Sequence, residues 1–382
     1  MTTTSSKEST ATVSGMTFAV HRNPSPATDE RRAEILADPG FGKFFTDHMA
    51  AITWTPDSGW HDAHLRAYGP IAMDPASAVL HYAQSIFEGL KAYRHGDGSI
   101  HTFRPESNAV RFQRSARRLA LPELPAELFV EAIDQLVTLD AAWVPGKAEQ
   151  SLYIRPLMFA SEVFLGVKPA SHVTFLVMAS PAGAYFKPSA TASGGGGLKP
   201  VRIWLSEEFT RAAPGGTGAA KCAGNYAASL IAQQEAIANG CDQVVFLDAV
   251  EQRWVEELGG MNLYFVHADG SIKTPTLTGS ILEGVTRDSI MALAADLGHR
   301  VEEARISIDD WRAGVTSGAI TEVFACGTAA VVTPVGSLHW RGGDVAMPGD
   351  PPGPVTTVIR STLLEIQHGH APDKHRWLHN VC

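Results

Sequence analysis

Apolar positions recur along this chain at two spacings, one typical of strands and one typical of helices. Runs of β-branched and aromatic residues predict strands in the first half at 90–94, 99–103, 152–156 and 173–179. An Asp-Gly pair at 97–98 predicts a hairpin between the first two. Apolar stripes predict helices at 108–119 and 126–143, and an alanine-rich run predicts one from residue 76 that ends at Gly89. Between residues 41 and 74 the pattern indicates only loop and short strand.

Composition changes abruptly between residues 182 and 199, where glycine, serine, threonine and proline predominate. This change is typical of a linker. We therefore predict an interdomain linker at 183–198, between a first domain at 41–182 and a second domain at 199–382. Residues 1–40 are predicted to be a flexible tail and lead-in, because their first part is rich in serine and threonine.

The second domain is predicted to contain more strands than the first. Its predicted strands lie at 201–205, 243–248, 253–258, 263–267, 271–274, 322–325 and 330–332. Helices are predicted at 226–239 and 284–297, with one short helix after residue 354.

The bulk composition argues against several classes of protein. The formal net charge of -9 is unfavourable for binding a nucleic-acid backbone. The four cysteines form no C-x-x-C pair and no H-E-x-x-H occurs, so we predict neither a disulfide framework nor a metal site. The chain has no segment resembling a signal peptide and no run of about 18 apolar residues, so we expect a soluble, cytoplasmic protein with no membrane partner.

One stretch, residues 215–226, surrounds a single lysine with small residues. Such a turn lets a flat ligand approach Lys221, and desolvation there lowers the pKa of the amine toward a neutral nucleophile. This chemistry suits a Schiff base with an aldehyde cofactor. A flexible loop before an ordinary helix has the same pattern, whereas a P-loop is excluded because Ala220 and Cys222 replace residues that it requires.

A pyridoxal-type cofactor also needs an acid for its ring nitrogen and a site for its phosphate. Glu256 and Glu257 lie at the end of a predicted strand, where alternation directs one side chain inward and the other to solvent. The predicted helix at 284 begins with Gly-Val-Thr, and residues 327–329 form a small Gly-Thr-Ala turn. Both are candidate phosphate sites.

Together these residues resemble the branched-chain aminotransferases of the class IV, or fold type IV, pyridoxal-phosphate enzymes. The motifs that carry the resemblance are Lys221 with Gly224-Asn225-Tyr226, Glu257-x-Gly-x-Met-Asn, Gly284-Val285-Thr286-Arg287 and Gly327-Thr328-Ala329. The resemblance implies an α+β fold with a small α/β domain and a larger β-rich domain flanked by helices. It implies pyridoxal 5′-phosphate as the cofactor and reversible transfer of the amino group of leucine, isoleucine or valine to 2-oxoglutarate.

The resemblance also implies roles for individual residues. Lys221 is expected to be the Schiff-base lysine and proton shuttle, Tyr226 the donor to the 3′-oxygen of the cofactor, and Glu257 the partner of the ring nitrogen. The remaining implied cofactor contacts are Arg111, Val285, Thr286 and Thr328. The implied substrate contacts are Tyr82, Phe87, Tyr153, Arg155, Tyr185, Thr328 and Ala329. The region of Tyr82 resembles a segment that serves the neighbouring active site, so we expect a homodimer with shared active sites.

Two departures from the family pattern stand out. Gly260 replaces the Ser or Thr that relatives often have, and Ala330 and Thr333 replace the C-x-x-C of animal relatives. Three alternatives stay open at this point: a D-amino acid aminotransferase, an aminodeoxychorismate lyase, or a non-catalytic carrier of pyridoxal phosphate. The long N-terminal part and residues 183–186 favour the branched-chain type.

Overall fold

The structure is a computed structural model of the chain that describes residues 12–13, 16–183 and 198–382. The chain divides into two compact units, one formed by Met1–Gly183 with Trp377–Cys382 and the other by Ala184–Arg376. The first unit combines helices with a largely antiparallel sheet and the second combines helices with a mixed sheet, so the expected α+β fold is confirmed.

The first unit contains a large sheet with helices packed on it and a separate two-stranded sheet formed by its first two strands. Its strands are β1 (Thr12–Val13), β2 (Met16–Thr17), β3 (Ala19–Val20), β4 (His48–Thr55), β5 (Gly59–Ala67), β6 (Ser85–Phe87), β7 (Leu90–Arg94), β8 (Ile100–Phe103), β9 (Ser151–Ala160), β10 (Val173–Ala182) and, at the C-terminal end, β20 (Leu378–Asn380). Its helices are α1 (Asp29–Ala37), α2 (Ala78–Tyr82), α3 (Pro105–Arg118) and α4 (Ala126–Leu139), followed by a 3₁₀ turn at Ala141–Trp143. Among the described strands the sheet order is β20-β8-β7-β9-β10-β4-β5-β3, and β6 pairs with β9.

The core of the first unit lies between its sheet and helices α3 and α4. Phe112 of α3, Phe129 of α4 and Phe175 of β10 are fully buried there. The Phe112 ring centroid lies 5.2 Å from that of Phe129 and 5.6 Å from that of Phe175. Aromatic contacts at these distances add to the stabilisation from burial, so the two helices hold β10 in a fixed position.

The second unit is built around a mixed sheet. Its strands are β11 (Val201–Leu205), β12 (Gln243–Leu247), β13 (Val255–Leu258), β14 (Asn262–His267), β15 (Ile272–Pro275), β16 (Val301–Ala304), β17 (Ile320–Gly327), β18 (Val331–Trp340) and β19 (Gly343–Ala346). Its helices are α5 (Ala223–Ala238), α6 (Val285–Asp296), α7 (Ile308–Ser317) and α8 (Pro354–Gln367). The order of the described strands is β13-β12-β11-β18-β17-β14-β15-β16, with β19 paired to β18.

Helices cover the sheet of the second unit and fill its core. α5 packs on β11 and β12 through a buried cluster that includes Trp204, Ala232 and Phe246. Trp311 of α7 lies edge-on to Phe265 of β14, with ring centroids 5.0 Å apart. The turns that precede α5 and α6, and those that follow β13 and β17, therefore project from a rigid framework.

Several sequence predictions differ from the structure. The helix predicted from residue 76 to Gly89 is wrong beyond Tyr82, because Ala83 adopts a left-handed conformation (φ 50°) and residues 85–87 pair with β9 instead. Residues 41–74 contain the long antiparallel pair β4 and β5 rather than loop and short strand. The helical propensity of the alanines is overruled in the first case by strand pairing.

The C-terminal segment also differs from the prediction, which assigned all of 199–382 to the second domain. β20 pairs with β8, so Trp377–Cys382 belong to the first unit. The linker predicted at 183–198 lies almost entirely outside the described residues, and it stays a prediction. The hairpin predicted around Asp97-Gly98 is confirmed by the antiparallel pairing of β7 with β8.

Candidate active site

The turn that contains Lys221 is fixed by a side chain of the helix that follows it. Asn225 donates from Nδ2 to the carbonyls of Thr217 and Ala220 at 2.8 Å each, and its Oδ1 accepts from Thr217 Oγ1 at 2.6 Å. Asn225 is buried, so these bonds are shielded from competing water. The asparagine of the Gly-Asn-Tyr motif is thus the residue that shapes the lysine turn.

Lys221 and Tyr226 lie side by side at the start of α5. Lys221 Nζ donates to Tyr226 Oη at 2.8 Å and lies 5.3 Å from the centroid of the tyrosine ring. Both residues are half-buried. The two residues predicted to act together, Lys221 and Tyr226, therefore lie within hydrogen-bonding distance of each other.

Glu257, at the end of β13, is buried in the same unit. Its Oε1 lies 2.7 Å from Arg211 Nη2 in an ion pair and accepts from the backbone N–H of Leu282 at 2.7 Å. Burial raises the pKa of Glu257 to about 6, and the positive charges of Arg211 and Lys221 act in the opposite direction. A carboxyl group with this pKa gains or loses its proton close to neutral pH. The charge of the candidate catalytic lysine acts on this equilibrium.

The prediction that Glu256 meets solvent is wrong. Glu256 is buried, because residues 278–280 cover the second face of β13. The hydroxyl of Ser280 donates to Glu256 Oε1, and burial raises the pKa of this carboxyl group. Strand alternation does turn the two acids to opposite faces, but both faces of this strand are buried.

The N-terminus of α6 is the first candidate phosphate site. Gly284 precedes the helix in an extended conformation, and no side chain of the described residues caps the helix start. A Cβ atom at Gly284 would lie 2.1 Å from Asn262 Oδ1, so only glycine fits there. The backbone N–H groups of Val285 and Thr286 lie in the first turn, where the helix dipole attracts an anion.

The turn after β17 is the second candidate phosphate site. Thr328 and Ala329 are half-buried and are followed by Val331, whose φ of 58° is unusual for a β-branched residue. Such backbone strain persists only where the surroundings impose it, and it is commonest at functional sites. The structure therefore places a fixed, strained turn at the predicted position.

Three of the predicted substrate residues lie together in the first unit. Arg155 Nη2 donates to Tyr153 Oη at 2.9 Å, and the guanidinium lies 4.7 Å from the centroid of the Phe87 ring. Gly89 allows this arrangement, because a Cβ atom there would lie 2.3 Å from the Tyr153 hydroxyl. Phe41 lies edge-on to Tyr153 at 5.0 Å and was not predicted, since nothing in its local sequence distinguishes it.

The other predicted residues of the first unit have different surroundings. Arg111 is buried in α3 and forms two hydrogen bonds to Glu88, from Nε at 2.7 Å and from Nη2 at 2.8 Å. Tyr82 ends α2, is 39% exposed, and donates to the carbonyl of Leu165. Tyr185 lies outside the described residues.

Arg211 is the main site residue that sequence analysis missed. It lies ten positions before Lys221, and these two residues are the only cations between residues 206 and 238. The scarcity of cations in this stretch could have pointed to Arg211, because an arginine among small residues needs a charged or polar partner if it is buried.

The second unit thus contains a half-buried lysine beside a tyrosine, a buried acid near that lysine, and an uncapped helix N-terminus. These features fit a cofactor that has an aldehyde, a ring nitrogen and a phosphate. The chain belongs to the class IV aminotransferase family, described as "Amino-transferase class IV", whose model matches residues 85–338.

Within that family the chain is similar to branched-chain enzymes. It is 57% identical over 367 residues to the probable branched-chain-amino-acid aminotransferase of Streptomyces coelicolor, covering 96% of this chain and 99% of that one. It is 55% identical over 365 residues to the enzyme of Mycolicibacterium smegmatis, covering 94% and 97%. The solved branched-chain amino acid aminotransferase of Thermobaculum terrenum in its PLP-form matches with a TM-score of 0.67 and 26% identity, covering 87% of this chain and 98% of that one.

These matches confirm the resemblance to the branched-chain aminotransferases. Within residues 12–13, 16–183 and 198–382, no group of three or more His, Cys, Asp and Glu side chains is arranged to hold a metal ion. None of the described helices combines the length and the apolar character needed to cross a membrane.

Proposed function

We propose that this protein is a pyridoxal 5′-phosphate-dependent branched-chain amino acid aminotransferase. It transfers the amino group of L-leucine, L-isoleucine or L-valine to 2-oxoglutarate and yields branched 2-oxo acids and L-glutamate. The observation that carries the proposal is the cluster of Lys221, Tyr226 and Glu257 in a class IV aminotransferase chain. The names and the PLP-form of similar proteins support the substrate and the cofactor.

Lys221 is the residue that would hold the aldehyde of the cofactor through its amine and would move the substrate proton. The bound pyridoxal phosphate supplies an electron sink for the bond that breaks at the substrate Cα. The hydroxyl of Tyr226 lies 2.8 Å from Lys221 Nζ and would donate to the 3′-oxygen of the bound cofactor. Glu257, buried beside the guanidinium of Arg211, would as a carboxylate keep a proton on the ring nitrogen, and this would strengthen that sink.

The phosphate is held by the start of α6 and by two further groups. The backbone N–H groups of Val285 and Thr286 lie at the positive end of the helix dipole. The hydroxyl of Thr328 and the guanidinium of Arg111 complete the set. Arg111 enters this role already oriented by Glu88, which accepts two of its N–H groups.

The substrate pocket has to accept an aliphatic side chain and also the second carboxylate of glutamate. The family resemblance assigns Phe87, Tyr82 and Tyr185 to its apolar wall, and Tyr153 and Arg155 to the glutamate carboxylate. The position of Arg155 over the Phe87 ring supports this dual role, because the ring face stabilises the cation when no carboxylate is present. Thr328 and Ala329 bind the α-carboxylate of either substrate.

The protein acts as a homodimer. An apolar surface on the first unit supports this part of the proposal. It consists of Leu80, Tyr82 and the segment 163–167, where Leu165 is 62% and Val167 is 87% exposed. Its parts are joined by the Tyr82 hydroxyl bond to Leu165 and by the bridge between Ser77 and Val163. Exposed apolar clusters of this kind mark association surfaces. In the proposed dimer, Tyr82 of each copy serves the active site of the other copy.

The experiment is a transamination assay with the purified full-length protein, added pyridoxal phosphate, 2-oxoglutarate and one amino acid. Equal amounts of L-glutamate and 4-methyl-2-oxopentanoate are expected from L-leucine. A preference for D-alanine would contradict the branched-chain assignment. Cofactor binding without any amino-group transfer would indicate a carrier instead of an enzyme.

Paired variants test the assignment of the acid within the same assay. Glu257→Gln should lower turnover far more than Glu256→Gln, because the charge of Lys221 acts on the pKa of Glu257, whereas Glu256 is bound by the hydroxyl of Ser280. The two substitutions are chemically identical and one position apart, so each controls for the other. Equal losses would mean that the ring-nitrogen partner is misassigned.

A further inference from the structure

Arg211 connects the three segments of the second unit that carry the proposed cofactor contacts. Its Nη2 atom donates to the carbonyl of Gly218 at 3.1 Å and to the carbonyl of Ser280, and it lies 2.7 Å from Glu257 Oε1 in an ion pair. Gly218 belongs to the turn of Lys221, and residues 278–284 lead into α6. The Arg211 side chain is only 5% exposed. One buried guanidinium therefore joins the lysine turn, the acid and the approach to the phosphate helix.

The backbone is shaped to allow this convergence. A Cβ atom at Gly218 would lie 2.2 Å from the carbonyl oxygen of Ser280, so only glycine permits the close approach of the two segments. Ser280 is held on its other side by its hydroxyl bond to Glu256. The two carbonyls that orient Arg211 are thus fixed before any ligand binds.

The charges around Glu257 show why a cation is needed there. The groups that face it are Arg211, Lys221, Glu256 and, from β17, the thiol of Cys326. Burial and the Glu256 carboxyl group both raise the pKa of Glu257, whereas Arg211 is the strongest influence that lowers it. Lys221 is committed to the chemistry of the aldehyde, so Arg211 is the permanent positive charge beside the acid.

We propose that Arg211 is a positioning residue that keeps Glu257 ionised and directed toward the ring nitrogen of the cofactor. This inference rests on the proposed function and deepens it. Arg211 touches neither the substrate nor the reacting atoms in this role. It acts through Glu257, and the loss of its charge should be visible in the titration of that carboxyl group.

The test is a ¹³C NMR titration of full-length protein, freed of cofactor and labelled at the glutamate δ-carbon. The Glu257 signal is assigned by its absence in Glu257→Gln. In Arg211→Met the pKa of Glu257 should rise by about 1–3 units, the usual effect of removing an adjacent opposite charge. Arg211→Lys, which retains the charge, should leave it closer to the wild-type value.

Arg287→Met is the matched control. Arg287 is equally buried in the same unit and also pairs with one carboxylate, Glu303, at 2.9 Å and one carbonyl, that of Pro275, at 3.1 Å. Its loss should leave the Glu257 titration unchanged. If Arg211→Met does not fold, Arg211→Gln carries the same test, because it retains N–H donors for the carbonyls of Gly218 and Ser280 without a charge.

A second measurement follows the affinity for pyridoxal phosphate by absorbance. Folded neutral variants of Arg211 should bind it at least tenfold more weakly at pH 7, because a protonated Glu257 cannot stabilise a protonated ring nitrogen. An unmoved Glu257 pKa in a folded neutral variant would overturn the inference and leave the proposed function intact. Absence of transamination by the wild-type protein would overturn the proposed function, while the titration, which needs no turnover, still measures the effect of Arg211.

Discussion

Replacing Arg155 by methionine should separate the two half-reactions of the proposed enzyme. Methionine has a similar length and packs well against aromatic rings, so it can occupy the space over Phe87 where the guanidinium now lies 4.7 Å from the ring centroid. The change removes one hydrogen bond, from Nη2 to Tyr153 Oη at 2.9 Å, and the positive charge. The cluster of Phe87, Tyr153 and Arg155 should therefore keep its shape and lose its cation.

The expected decrease in kcat/KM differs between glutamate and leucine. Glutamate loses a charge-assisted contact worth on the order of 1.5–3 kcal/mol, which corresponds to roughly a ten- to hundredfold decrease in kcat/KM. Leucine never pairs with the cation, so its half-reaction changes only through the cation–π contact. Such a contact contributes about 0.5–1 kcal/mol, or a few-fold.

Single-turnover rates with L-leucine and L-glutamate on the wild type and on Arg155→Met measure this difference directly. Arg117→Met is the control, since Arg117 is 67% exposed on α3 of the same unit and pairs only with the exposed Glu123 among the described residues. It should change neither rate. Equal impairment of both amino acids by Arg155→Met would refute the reasoning and assign Arg155 to the α-carboxylate or to the structure of the pocket.

Four further predictions follow from the second unit and from the proposed dimer. Lys221→Ala should fold but lose the cofactor that borohydride traps on the wild type, and trapping at another lysine in a peptide map would contradict the assignment. The pKa of Glu257, raised from 4.5 to about 6, destabilises the cofactor-free protein above pH 6 by about 2 kcal/mol. This cost disappears as the pH falls to 4.5. The free energy of unfolding of the wild type, measured with urea, should therefore fall relative to that of Glu257→Gln as the pH rises from 4.5 to 6. Parallel pH dependences of the two free energies would disprove this prediction. Gly284→Ala should impair folding or cofactor binding because of the 2.1 Å contact with the asparagine beside it, whereas Gly260→Ala, whose Cβ would be 3.5 Å from its nearest neighbour, should be tolerated in thermal unfolding. Mixing inactive Lys221→Ala with inactive Tyr82→Ala should restore part of the activity through hybrid dimers, and no recovery after verified subunit exchange would argue against shared active sites.

Local sequence determined most of the second unit and the chemistry of its site. The strand Val201–Leu205 has the predicted bounds, and the helices that begin at Ala223 and Val285 were expected within three residues. The lysine turn could be found because its small residues and its Asn225 form bonds within ten positions of one another. Contacts between residues this close along the chain can be predicted from the local sequence.

Long-range packing decided what local sequence could not. Residues 85–87 follow a helix, yet they form a strand because β9 provides hydrogen-bonding partners at least 70 positions away. Glu256 is buried, because a distant loop covers the second face of its strand. Arg211 acquires its partners from Gly218, Glu257 and Ser280, and the last two are more than 40 residues away along the chain. Strand pairing and the burial of charge depend on which segments meet in space, and only the tertiary structure determines that.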